Sequence, residues 1–142
     1  MSYDLMVFEL SAAPRERDEF LEWYDQQSEW EEDHSYDDPV VTSSALRAWF
    51  MEMIAEFPAR NGPFAAEFSE EISEEMELRF TEYSIGRNLI YAGFAWSQAE
   101  AAYAMSFFLA GKHKVGFFDA SGNKGTVYVS DNFGTLSILH QS

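Results

Sequence analysis

Residues 16–38 hold eleven carboxylates (Glu16, Asp18, Glu19, Glu22, Asp25, Glu29, Glu31, Glu32, Asp33, Asp37, Asp38) against Arg17 alone. Side chains of this type ligate hard cations, exchange protons in pairs, or attract the cationic groups of a partner. Cation binding needs converging oxygens, and the sharpest set is the loop Asp33, His34, Asp37, Asp38. That loop lacks the glycine at the sixth position and the closing glutamate at the twelfth that an EF-hand requires. The three histidines, His34, His113 and His140, show no i, i+4 ligand spacing. No metal site is assigned. Paired-carboxylate catalysis depends on a separation of about 5–9.5 Å, which spacing along a chain does not encode. There is no G-x-S-x-G, P-loop or G-x-G-x-x-G pattern, and no cysteine to serve as nucleophile or thiolate ligand. The sequence therefore assigns no catalytic residue and no cofactor, and the expected protein is not an enzyme. Attraction of a cationic partner is the chemistry left.

The charge distribution agrees. Of the formal charge of −16, residues 1–83 contribute 22 acids against 5 arginines, net −17, while residues 84–142 carry 3 acids and 4 bases, net +1. A second acidic cluster at 67–82 holds Glu67, Glu70, Glu71, Glu74, Glu75, Glu77 and Glu82 against Arg79. Like charges this dense repel one another, so segregated acidity is a cost to folding that solubility alone explains poorly. Direct nucleic-acid binding is disfavoured because a phosphate backbone demands a basic footprint. Lys112, His113 and Lys114 form a small basic patch that suits a helix C-terminus. No apolar run reaches the roughly 18 residues of a membrane span, and the first residues lack a basic n-region, which together predict a cytoplasmic protein. With 46% apolar and 17% aromatic residues, 142 residues are expected to fold as one domain, residues 1–142, with an acidic helical part (about 1–83) and a sheet-rich part (about 84–142).

These charges must be positioned by recognisable elements. Tyr3 to Leu10 reads as a strand with at least one buried face. Ser11 and Pro14 announce a helix over about 15–30, whose Phe20, Trp23, Tyr24, Gln27 and Trp30 form an inner stripe with carboxylates around it. Residues 31–39 have no period and end in proline, a surface loop. Leu46, Trp49, Phe50, Met53, Ile54 and Phe57 follow helical spacing after caps at Thr42, Ser43 or Ser44, and Pro58 ends that helix. Phe64, Phe68, Ile72 and Met76 stand four apart, which predicts a loose or partner-ordered helix over 64–80. Strands follow at 81–85 and 89–96. Ser97-Gln98-Ala99-Glu100 has the form of a capping box opening a helix that Gly111 would stop. Val115–Phe118 and Thr126–Val129 read as an antiparallel pair, and 133–139 as an edge strand or a tail.

The order strand, helix, helix, strand, strand, helix, strand, strand predicts an α+β fold, with helices packed on one face of a mainly antiparallel sheet, and it suits a split βαβ plait. The candidate partner-binding surface is then the end of the first helix and its loop: Glu29, Glu31, Glu32, Asp33, Asp37 and Asp38 as the charges, with Trp30 and Tyr36 as aromatic anchors.

Several segments also carry a likeness: Ser2-Tyr3-Asp4-Leu5, the acidic first helix, Ala45-Leu46-Arg47-Ala48-Trp49-Phe50 ending in Phe57-Pro58, Ala95-Trp96-Ser97-Gln98-Ala99-Glu100-Ala101, and Val115-Gly116-Phe117-Phe118-Asp119. In these the chain resembles small acidic bacterial immunity-type proteins, often encoded beside polymorphic or contact-dependent toxins. The resemblance implies a stoichiometric inhibitor of a cognate toxin domain, often a basic nuclease domain, and transfers no residue role. The alternative is a cytoplasmic structural or assembly protein whose acidity serves solubility and which self-associates through a sheet edge.

Overall fold

Tyr3, Leu5 and Val7 point to one side of the first strand and Met6 and Phe8 to the other, and all five are buried. A strand apolar on both faces belongs inside a sheet covered on both sides. The computed structural model, which describes residues 2–65 and 73–142, places this strand, β1 (Ser2–Phe8), near the middle of a six-stranded antiparallel sheet. The other strands are β2 (Glu82–Ile85), β3 (Leu89–Ala95), β4 (Gly116–Phe118), β5 (Val127–Ser130) and β6 (Leu136–His140), in the order β2-β3-β1-β4-β5-β6. Strands β1 and β2 both run antiparallel to β3, and β3 and β4 both run antiparallel to β1. Two interleaved split βαβ units result, with β5 and β6 added at one edge. The α+β class and antiparallel sheet expected from the sequence are present, and 133–139 supplies the edge strand rather than a tail.

The crossovers put α2 (Ser44–Glu56) and α4 (Ala99–Lys112) on one face. There Leu46, Trp49, Phe50 and Met53 meet Leu5, Val7, Ile90, Ala92 and Phe117, each large side chain contributing about 1.5–3 kcal/mol by burial. The Trp49 indole N–H donates to the Ser106 carbonyl at 3.1 Å, and the Tyr83 hydroxyl to the Phe57 carbonyl at 2.7 Å, so the polar atoms of this core are paired. The opposite face is covered by α1 (Arg17–Gln27), which lays Phe20 among Phe8, Trp23 and Phe118, so the helices lie on both faces rather than on the one expected, because β1 is apolar on both sides. The sequence halves are interwoven, since β1 pairs with both β3 and β4.

Local expectations differ from the structure at four places. Helix α1 is shorter than 15–30: Glu16 caps it and Ser28 ends it, so Trp30 lies beyond the helix. The Ser97/Glu100 capping box does not form, because a 3-10 turn over Trp96–Gln98 precedes α4 and the Ala99 N–H bonds to the Trp96 carbonyl. Gly111 stays inside α4 instead of stopping it, and the left-handed residue after the helix is Lys114 at φ 58°. Of the helix expected over 64–80, α3 (Glu74–Leu78), capped by Ser73, is present, while 66–72 lie outside the described residues.

Candidate functional site

Phe20, Leu21, Trp23, Tyr24 and Gln27 of α1 turn toward the sheet, so Asp18, Glu22 and Asp25, spaced four and three apart, share the outward side and are exposed. At the start of the helix the Glu16 carboxylate accepts the Glu19 N–H at 2.9 Å, which holds its carboxyl below the usual range. Past the last turn, the Glu29 and Trp30 N–H groups bond back to the carbonyls of Gln26 and Gln27. Trp30 adopts φ 52° and reverses the chain, which sets its ring edge-on to Tyr36 at 5.0 Å and to Tyr91 at 6.4 Å. A left-handed tryptophan is strained, and the two tyrosines are what hold it there.

The loop that follows is tied down at three points. The Tyr36 carbonyl accepts the Ile85 N–H at 2.8 Å, fastening the loop to the end of β2, while the Tyr36 hydroxyl accepts the Glu32 N–H at 2.6 Å. The Glu32 carboxylate accepts the Arg87 N–H at 2.9 Å and faces His34 Nε2 at 2.7 Å. The other nitrogen of His34, Nδ1, lies 2.7 Å from the Ser35 carbonyl. Both neighbours are acceptors, so the imidazolium, with two N–H groups, satisfies both; the Ser35 carbonyl and then Glu32 raise the pKa of this histidine above its ordinary value. Asp38 caps a 3-10 turn over Pro39–Val41 by accepting the Val40 N–H at 3.0 Å. The Asp37 backbone presses on Gly62, where φ is +88° and an added Cβ would lie 2.2 Å from the Asp37 carbonyl oxygen.

The eight candidate residues therefore fall into two groups. Trp30, Tyr36, Glu32, Asp37 and Asp38 build the loop and fix its path, whereas Glu29, Glu31 and Asp33 are exposed and have no hydrogen bond or ion pair from their side chains among the described residues. Glu31 and Asp33 border a shallow depression of about 480 Å³ that Gln26, Gln27, Glu32 and Arg87 complete. Among the described residues no three histidine, aspartate or glutamate side chains converge as a metal cluster would, because His34, Glu32 and Asp38 are turned toward the groups just named.

Arg87 borders the same depression as Glu31 and Asp33, but neither it nor Arg17 nor Arg47 forms an ion pair with this surface among the described residues. Arg17 donates to the Gly125 carbonyl at 2.8 Å and meets His140 Nδ1 at 3.1 Å; Arg47 donates to the carbonyls of Pro39, Val40 and Thr42. Among the described residues, lysine or arginine ion pairs occur only at Arg79–Glu56 (3.1 Å) and Lys112–Glu52 (2.7 Å), both on α2. The outer carboxylates of α1 were not among the candidates although their spacing of four and three is legible in the sequence. The chain matches no family model, no curated protein and no solved structure.

Proposed function

We propose that this chain is an immunity-type protein that works in the cytoplasm of a toxin-producing cell, where it binds a basic cognate toxin domain and neutralises it by occupancy rather than by catalysis. The observation that supports this reading is the set of exposed carboxylates, Asp18, Glu22, Asp25, Glu29, Glu31 and Asp33, that form no ion pair with a lysine or arginine among the described residues. Such a surface attracts a cationic protein at long range and raises the encounter rate by about 10- to 1,000-fold at low salt. Lysines and arginines that otherwise contact phosphate would lie against it, so substrate is excluded by charge and by volume. The edge-on contacts of Trp30 with Tyr36 and Tyr91 hold the loop that carries these carboxylates, which lowers the ordering cost of binding. Co-expression with a basic toxin domain, where a neighbouring gene encodes one, tests this: growth is restored and a stoichiometric complex is recovered if the reading holds, and toxicity persists with no complex if it does not.

A further inference from the structure

Away from the acidic helix, α4 and the β5–β6 hairpin present an apolar surface. Phe133 is 93% exposed and Phe108 69%, the two most exposed large apolar side chains among the described residues. Exposure of this size on a turn tip usually accompanies a mobile turn, but this one is built rigidly. The Asp131 N–H donates to the Thr135 carbonyl at 3.0 Å, and the Asp131 carboxylate accepts the N–H groups of Phe133 at 2.8 Å and Thr135 at 2.9 Å. The tip also docks on α4 through backbone alone: an added Cβ on Gly111 would lie 2.5 Å from the Gly134 oxygen, and one on Gly134, where φ is +80°, 2.6 Å from the Gly111 oxygen. This contact explains why glycine is tolerated inside α4. It also makes Phe133 a fixed aromatic knob.

The knob itself forms one wall of a groove of about 460 Å³, whose other walls come from Phe107, Phe108 and Gly111 of α4, from Gly134 and Leu136, and from Lys112 and Lys114. Neither aspartate nor glutamate lines it. Lys112 is already paired with Glu52, whereas Lys114 is exposed and has no ion pair among the described residues. The surface thus carries an aromatic knob next to an apolar groove, and an aspartate two residues from the knob against a lysine at the groove. A surface complementary to itself in both shape and charge is what a two-fold dimer requires, since each copy then supplies to its partner what it receives. Because α1 covers the opposite face of the sheet, two chains of charge −16 meeting here keep their unpaired carboxylates away from the contact.

We infer that this face is a homodimer interface in which Phe133 of each copy enters the Phe107–Phe108–Leu136 groove of the other, with Asp131 set against Lys114. The two exposed rings supply roughly 300 Å² of aromatic surface per copy, below the roughly 800 Å² a side of a standard stable complex, so the dimer is weak. Sedimentation velocity of the full chain over about 1–300 μM, a range in which weak self-association shifts the monomer–dimer balance, tests it without any second protein. The outcome is therefore independent of the toxin-binding proposal. The weight-average mass is expected to rise from monomer toward dimer with concentration. Phe133→Ser should return it to monomer throughout, and Lys114→Glu should weaken the dimer about tenfold; both positions are exposed, and far-UV circular dichroism checks that the fold is unchanged. A wild-type protein that stays monomeric, or a dimer that either variant leaves intact, overturns the inference; the second result points instead to pairing along an open strand edge.

Discussion

Helix α2 carries Glu52 and Glu56, and each has a cation: Lys112 and His113 meet the first, Arg79 the second, with the Arg79 guanidinium also 5.0 Å over the Phe57 ring. The Lys112 and His113 bonds hold the Glu52 carboxyl below its ordinary value. Helix α1 carries Asp18, Glu22 and Asp25 on its outer side and none has such a partner, although Arg17 lies in the same helix and donates to carbonyls 107 and 108 residues away. The last turn of α1 even holds Asp25 with no basic residue, against the sense of the helix dipole. The acids of α2 help dock one element on another. Those of α1 join no elements: Asp18, in the first turn, suits the helix dipole, while Glu22 and Asp25 have no such partner.

The comparison can be broken at α1 itself. Phe20→Ala removes a side chain with no exposed surface from the ring cluster of Phe8, Trp23 and Phe118 and should cost about 3–5 kcal/mol in urea unfolding. Glu22→Gln with Asp25→Asn, on the other side of the same helix, should leave stability within about 0.5 kcal/mol per site or raise it. A loss beyond that would make the outer charges structural and erase the contrast with α2.

A finer contrast separates two adjacent residues. Glu32→Ala leaves the Arg87 N–H and both the loop and His34 without their acceptor and should cost about 1–2 kcal/mol, read as faster hydrogen exchange at Arg87. Glu31→Ala should be close to neutral by the same measurement. The smallest expected effect is on pH dependence. His34 has its pKa raised in the folded state, so the stabilisation it gives the loop is fully present below the ordinary histidine value of 6.5 and is lost as pH rises through the higher folded value. An NMR titration of the His34 ring should show that elevated midpoint, and Glu32→Ala should move it back toward 6.5.

Periodicity carried much of the fold. The spacing of Leu46, Trp49, Phe50 and Met53 locates α2, and the alternation after residue 81 locates β2 and β3, because both patterns are local. What failed to show were features decided by distant partners. Gly111 reads as a helix stop until the Gly134 carbonyl is seen against it. Trp30 reads as one more inner helix residue until Tyr36 and Tyr91 draw it into a left-handed turn. Within the acidic loop, composition marks the cluster but not its division, since Glu32 differs from Glu31 through His34 and Tyr36 in the loop and through Arg87, 55 residues later. Only the three-dimensional pairing tells the charges that hold the loop from those left to face outward.

The outward charges are tested most directly by stopped-flow association with the basic toxin domain that the proposed function requires, comparing wild type with Glu31→Lys/Asp33→Lys, two exposed positions on the free edge of the loop. The account predicts an association rate about tenfold lower for the double variant at low salt, with a flatter dependence on ionic strength and an unchanged fold. An association rate that is the same for both proteins and indifferent to salt would contradict it.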